Sequence, residues 1–164
     1  MIASFLRFAS AALVAAAVSL PAMAQDAVPA KKLFGAQKLP ALMEPQSAGF
    51  YSKGCLAGGV AIPVDGPAWQ VMRLSRNRNW GHPNLIALLQ RLSQDGRKAG
   101  WNGLLVGDIS QPRGGPMLTG HASHQIGLDA DIWLTPMPDR TLTKQEREDL
   151  SAPSMLKGDS LYVD

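Results

Sequence analysis

Two histidines and two aspartates stand close together in the stretch from 120 to 133. His121 and His124 are three residues apart, and Asp129 and Asp131 follow shortly after them. Imidazole nitrogens and carboxylate oxygens are ligand types that Zn²⁺ accepts. Isolated His and Asp side chains more often satisfy ordinary hydrogen bonds, but two of the chain's three histidines lie here. The concentration of these groups favours a metal site.

The residues from 127 to 134 alternate between apolar and polar side chains, which predicts a β-strand. One face of this strand carries Leu128, Ala130 and Ile132, and the other carries Asp129, Asp131 and Trp133. Burying two unpaired carboxylates on one face would be costly, and a bound dication removes that cost. We expect Asp131 to be a ligand. Asp129 either forms a hydrogen bond to a metal ligand and so orients it, or pairs with a nearby cation.

Helices and strands elsewhere in the chain must position this cluster. The segment 83–98 predicts a helix that His82 caps, with one apolar face made of Leu85, Leu88, Leu89 and Leu92. The run 104–109 predicts a buried strand, and 111–115 a loop. Thr143 and Glu146 have the spacing of a capping box, which predicts a short charged helix. Mixed helices and strands indicate an α+β fold.

The N-terminal residues 1–24 have the three parts of a secretory signal peptide. Arg7 precedes an apolar run from Phe8 to Leu20, and Ala22-Met23-Ala24 offers a small-x-small cleavage site. A membrane anchor is the alternative, but the run is short for a spanning helix. We therefore expect an exported protein without membrane attachment after cleavage. Residues 25–66 have scattered Pro and Gly and predict an irregular segment that wraps the domain.

The composition excludes some functions and leaves others open. The formal net charge is only +3, and no dense Lys/Arg stripe is present, so nucleic-acid binding is not supported. Cys55 is the only cysteine. It is either buried and inert, or its partner lies outside this sequence.

The motif Ser123-His124-x-x-Gly127-x-x-x-Asp131 resembles the signature of the LAS metallopeptidases. A wider match resembles one branch of them, the penicillin-insensitive murein endopeptidases. It consists of the segments 49–55, 72–83, 100–108 and 111–116. The resemblance implies a central antiparallel sheet flanked by helices, with residues 67–164 forming the N-terminal portion of the metallopeptidase domain.

The resemblance further implies that His124 and Asp131 bind zinc and that His121 lies at the metal site. The family takes its remaining ligand and its catalytic histidine from a later H-x-H motif, and no histidine follows His124 here. We therefore expect the catalytic histidine to lie beyond Asp164, and leave it unassigned. A chain truncated in this way should bind zinc weakly and have little activity. The implied reaction is hydrolysis of the D-alanyl–meso-diaminopimelate bond in cross-linked peptidoglycan, in the periplasm.

Two other functions remain open. One is a D-Ala-D-Ala dipeptidase or carboxypeptidase of the same architecture, and the other is a non-catalytic module that binds the cell wall. Arg113 either grips a substrate carboxylate or merely holds its own loop. Three further arginines either line a cleft for acidic muropeptides or make solvated pairs: Arg73, Arg76 and Arg78. We expect Ser123 and Gln125 to hold the histidine loop through hydrogen bonds to the backbone.

Overall fold

The computed structural model describes residues 28–153, so the predicted signal peptide and the last residues up to Asp164 lie outside the described part of the chain. Between 28 and 153, no helix combines the length and the apolar character needed to cross a bilayer. In chain order the elements are α1 (Ala30–Gly35), β1 (Gln46–Phe50), β2 (Lys53–Ala57), β3 (Val60–Ala61), β4 (Asp65–Gly66), β5 (Trp69–Val71), a 3-10 turn (Leu74–Arg76), β6 (Trp80–Gly81), α2 (Pro83–Lys98), β7 (Leu104–Val106), β8 (Ile132–Trp133) and α3 (Lys144–Asp149).

The largest sheet has four strands in the order β4-β5-β7-β8. The β4–β5 and β7–β8 pairs are antiparallel, whereas β5 and β7 run parallel. The α+β prediction is confirmed, but the sheet is mixed and not wholly antiparallel. The reason is α2, which carries the chain back between β5 and β7, as a crossover must do to make two neighbouring strands parallel.

Helix α2 has the predicted bounds, and His82 caps it as expected. The His82 Nδ1 atom accepts a hydrogen bond of 3.2 Å from the Asn84 backbone N–H. The helix buries Leu85, Ile86 and Leu89 against β5 and β7. The other two leucines of the predicted apolar face are partly outside this core, because Leu88 is 49% exposed and Leu92 is 43% exposed. The helix face that packs on the sheet is therefore narrower than the apolar face that the sequence predicted.

The opposite face of the sheet is covered by the segment that leads to α3. Met72 and Leu105 pack there against Met137 and Leu142, and Trp133 borders this cluster. Leu105 points to this side while its neighbours in β7 point toward α2, as strand alternation requires. The sheet therefore lies between two apolar layers, and β8 takes part in both.

Helix α3 has the predicted capping box. The Thr143 hydroxyl accepts from the Glu146 backbone N–H, and the Glu146 carboxylate accepts from the Thr143 backbone N–H. Hydrogen bonds from the Arg140 guanidinium and then from Thr143 lower the pKa of Glu146 to about 2. Arg147 is buried, and it fastens the helix to the sheet by donating 3.0 Å from Nη1 to the Val71 carbonyl.

The stretch 25–66 contains more regular structure than we predicted. From residue 28 onward it includes α1, the antiparallel hairpin β1–β2 and the short strands β3 and β4. Paired strands are possible here because backbone pairing does not require apolar periodicity, and all but one of the residues of β1 are exposed. The hairpin is one of the supports of the histidine loop described below.

Candidate metal centre

His121, His124 and Asp131 come together at one place, as the sequence predicted. Each residue offers one ligand atom, and these atoms all lie within 4.8 Å of one another. The Asp131 carboxylate lies between the rings: Oδ2 is 3.5 Å from His121 Nε2, and Oδ1 is 3.5 Å from His124 Nε2. The two imidazole rings meet edge to face, with centroids 5.0 Å apart. We call these three residues the metal trio.

His124 is the buried member of the trio, with 3% of its surface exposed. Its backbone has φ 67°, in the left-handed region that non-glycine residues rarely adopt. The ring atom Nε2 is buried and has no hydrogen-bond partner among residues 28–153. A buried, unpartnered imidazole nitrogen costs free energy unless something binds it. This atom faces the Asp131 carboxylate, with 3.5 Å between Nε2 and Oδ1.

Asp129 lies behind His124. Its Oδ2 atom accepts a hydrogen bond of 3.2 Å from the His124 backbone N–H and lies 2.7 Å from the ring atom Nδ1. The ring contact has the distance of an ion pair but not the directionality of a hydrogen bond. A carboxylate behind a ligating imidazole fixes the ring and its tautomer. Asp129 is adjacent to the His124 ring, and its supporting role stays a prediction.

Gln125 anchors the loop next to the buried histidine. Its Nε2 atom donates 2.9 Å bonds to the carbonyls of Ser52 and Ala122, and its Oε1 atom accepts from the Gly54 backbone N–H. Gln125 N–H also donates to the Tyr51 carbonyl. The loop is thereby fixed to the turn of the β1–β2 hairpin. The prediction for Gln125 is confirmed.

The residue that follows Gln125 extends the attachment to the hairpin. The Ser47 hydroxyl donates 2.7 Å to the Ile126 carbonyl. Gly127 has φ 66°, and its carbonyl accepts from the His82 backbone N–H at 2.8 Å. Ser123, which we also expected to hold the loop, makes no side-chain hydrogen bond within the described range. Gln125 and the hairpin therefore carry this function.

A buried ion pair supports the other end of the loop, before His121. Arg78 donates 2.7 Å from Nη1 to Asp108 Oδ2, and 2.6 Å from Nη2 to the Thr119 carbonyl. Both charged side chains are almost fully buried. Thr119 stands two residues before His121, so this arginine links the loop to the residues that follow β7.

Asp131 is placed by the end of the sheet. The strand predicted over 127–134 is limited to Ile132–Trp133, because the left-handed Gly127 and the exposed Leu128 do not continue the extended pattern. Asp131 nevertheless bonds to the residues after β7: Gly107 N–H donates 2.8 Å to its carbonyl, and its N–H donates 2.9 Å to the Asp108 carbonyl. Two backbone hydrogen bonds therefore fix this carboxylate relative to the sheet.

The trio has the donor set and the dimensions for a zinc ion. Tetrahedral coordination with bonds of about 2.1 Å places ligand atoms about 3.4 Å apart. The two nitrogen–oxygen separations of 3.5 Å, one to each oxygen of Asp131, are close to that value, and one ligand atom from each residue lies within 4.8 Å of the others. Two nitrogens and one carboxylate would leave a coordination position open, which is typical of catalytic zinc sites. Together with the unpartnered nitrogen of His124, these distances fit a metal ion.

The catalytic histidine stays unassigned. We expected it beyond Asp164, and the described residues end at 153, before that position. The candidate groups on the described part of the chain are therefore those that would hold a metal ion.

Arg113 makes no hydrogen bond or ion pair with the trio within residues 28–153. It is exposed, and its Nε atom donates 3.3 Å to the Leu39 carbonyl. This contact corresponds to the loop-holding alternative, and a substrate-binding role for Arg113 stays a prediction.

Cys55 is partly buried and free. Sequence reasoning missed the Arg78–Asp108 pair, since the two residues are 30 positions apart and belong to separate motifs.

Comparison with known proteins adds independent information. Residues 47–164 match the family described as penicillin-insensitive murein endopeptidase. A protein of that name from Haemophilus influenzae is 57% identical over 86 residues, which are 52% of this chain and 30% of the relative. Its namesake from Klebsiella pneumoniae is 40% identical over 118 residues, or 72% of this chain and 43% of the relative. The chain spans less than half the length of these relatives.

Proposed function

The chain belongs to the penicillin-insensitive murein endopeptidase family, and from this premise we propose that it contributes ligands to a zinc-dependent peptidase of the bacterial cell wall. The proposed substrate is cross-linked peptidoglycan, and the proposed bond is the amide between D-alanine and meso-diaminopimelate. We place the peptidase portion at residues 67–164, on a LAS-type core, and its site of action in the periplasm after loss of residues 1–24.

One observation carries the proposal. The Nε2 atom of His124 is buried without a hydrogen-bond partner among residues 28–153, next to a carboxylate and a second imidazole. Ordinary core histidines are satisfied by hydrogen bonds, because an unpaired buried polar atom costs about 1–3 kcal/mol. A metal ion removes this cost and also offsets the negative charge of Asp131.

The residues at the site have distinct proposed roles. His124 and Asp131 are the proposed direct ligands, His121 is the third, and Asp129 holds the His124 ring in place. The chemistry that a bound zinc ion supplies is Lewis acidity toward an amide carbonyl and toward water. No serine or cysteine nucleophile is needed for such a reaction. No histidine follows His124 in this sequence, so we assign no general base.

Zinc binding tests the site directly. Structural zinc sites gain about 10–16 kcal/mol from about four ligands, so loss of one ligand costs on the order of 3 kcal/mol, or about 100-fold in affinity. Isothermal titration with zinc should therefore show one site in the wild-type chain and a large loss of affinity in His124→Ala and Asp131→Ala.

His82→Ala is the matched control, because it removes the one remaining histidine, which caps α2 and lies outside the trio. This variant should bind zinc like the wild type. Equal zinc affinity in His124→Ala and His82→Ala would disprove the site.

The reaction is tested with purified cross-linked muropeptide dimers. Slow conversion of dimers to monomers, dependent on zinc and abolished in Asp131→Ala, would support the endopeptidase. Release of free D-alanine from monomers would instead identify a carboxypeptidase, and retention on isolated sacculi without any cleavage would identify a wall-binding module. Mass spectrometry of the soluble products separates these results.

A further inference from the structure

A cleft of about 230 Å³ lies directly beside the metal trio. Its wall includes Arg73, Arg76, Asp108, His121, Asp131 and Trp133. We propose that this cleft is a subsite for a substrate carboxylate, bound by Arg76 with the help of Arg73. The inference rests on the proposed function, and it specifies which chemical group of the substrate is recognised next to the amide.

The charges around Asp108 do not balance. Arg76 and Arg78 both donate to the same oxygen, Asp108 Oδ2, at 2.9 Å and 2.7 Å. One carboxylate therefore serves two guanidinium groups, which leaves one positive charge in excess. Arg78 is buried and donates from Nη2 to the Thr119 carbonyl, so it is held within the fold. Arg76 has a side chain that is 41% exposed and lines the cleft, so the excess charge is accessible there.

Arg73 adds a second positive charge to the cleft. Its guanidinium carbon lies 5.6 Å from the centre of the Trp133 ring, and Nη2 donates 3.0 Å to the Leu150 carbonyl. Within the described residues it has no carboxylate partner. Its backbone has φ 55°, as Asn77 has φ 51°, so left-handed residues bracket the 3-10 turn that carries Arg76. The turn is therefore held in a defined conformation that places both arginines at one cleft.

The chemistry of the proposed substrate supplies a matching anion. In the cross-link, the amide nitrogen belongs to a diaminopimelate carbon that also bears a carboxylate. That carboxylate is absent when the cross-linked residue is lysine, which otherwise has the same side-chain amine. Guanidinium groups bind carboxylates in a bidentate manner, with charge-assisted hydrogen bonds. A pair of arginines next to the metal trio would therefore select diaminopimelate over lysine at the cleaved amide.

Ligand binding without turnover tests the subsite. The probes are two soluble dipeptide analogues in which D-alanine is joined to the side-chain amine of either meso-diaminopimelate or L-lysine through a reduced CH₂–NH bond, which the proposed reaction does not cleave. Binding is followed by titration calorimetry and by the Trp133 indole resonance in ¹H–¹⁵N spectra, with the zinc-loaded chain. The wild-type chain should bind the diaminopimelate probe at least about tenfold more tightly, the size expected for one charge-assisted contact.

Arg76→Gln should remove this preference, and Arg76→Lys should restore it only in part, because lysine keeps the charge without the planar fork. Arg91→Gln is the matched control: it changes an exposed arginine on α2, outside the cleft, and should retain the preference. Thermal unfolding of each variant measures whether the fold is retained. We expect that it is, because Asp108 stays paired with Arg78.

The outcomes separate this inference from the proposed function. Zinc binding by the trio together with equal affinity for the two probes would overturn the subsite alone. A preference that persists in Arg76→Gln would overturn it as well. A preference that depends on Arg76 in a chain whose trio binds no zinc would support the subsite and count against the proposed metal centre.

Discussion

Replacement of Gln125 by alanine would test whether the hairpin holds the histidine loop in place. The Gln125 side chain is buried and makes three hydrogen bonds to the backbone, two from Nε2 and one to Oε1. Each contributes about 1 kcal/mol net, so Gln125→Ala should lower the free energy of unfolding by about 3 kcal/mol. This is a large part of the roughly 5–15 kcal/mol that is typical of a small domain.

The same change should weaken zinc binding, because Gln125 adjoins His124. Loss of a group that supports a ligand typically costs about 10–100-fold in metal affinity. Unfolding in urea, followed by tryptophan fluorescence in the zinc-free chain, measures the first effect. Isothermal titration with zinc measures the second effect.

Gln94→Ala provides the control, since Gln94 is an exposed residue on α2. It should change the free energy of unfolding by less than about 0.5 kcal/mol and leave zinc affinity unaltered. If Gln125→Ala were no more destabilising than Gln94→Ala, the anchoring role would be refuted. If it destabilised the fold but kept zinc affinity, the hairpin would support the domain without positioning the ligand.

Three further changes have defined outcomes. Gly107→Ala should lower zinc affinity, measured by titration, because the added Cβ would lie 3.1 Å from both the Cβ of Asp131 and Nε1 of Trp133, so that the segment carrying this ligand must shift. Asp108→Asn should reduce the free energy of unfolding in urea by about 3 kcal/mol, since it leaves the Arg78 charge buried without a counterion. The pKa of Glu146 is lowered to about 2, so the contribution of this carboxylate to stability should be complete above about pH 4.5 and lost as the pH falls toward 2. Glu146→Gln should remove that part of the pH dependence in acid unfolding curves.

The sequence predicted those features that depend on local patterns. The bounds of α2, its His82 cap and the capping box of α3 all follow from residue types at fixed spacing, and the structure confirms them. The metal trio was also predictable, because its three members lie within eleven positions of one another. Short-range spacing determines which of these side chains can meet.

Features that depend on distant contacts could not be predicted in this way. The Arg78–Asp108 pair joins residues 30 positions apart, and Gln125 bonds to backbone atoms more than 70 positions earlier. The parallel pairing of β5 with β7 depends on where α2 packs, which the apolar pattern alone does not specify. The left-handed backbone of His124 could not be predicted from residue type, because only a small fraction of histidines adopt that conformation.

The attachment of the histidine loop to the hairpin also has a consequence for the order of events during folding. The hydrogen bonds that join Ser47, Ser52 and Gly54 with the loop span 71 to 79 residues of chain, and closing so long a segment has an entropic cost and slows folding. The contacts that fix the histidine loop would therefore form late in folding, and a zinc ion that requires this fixed geometry would bind after them. Such an ion would slow the unfolding of a finished structure and leave the rate of its formation nearly unchanged.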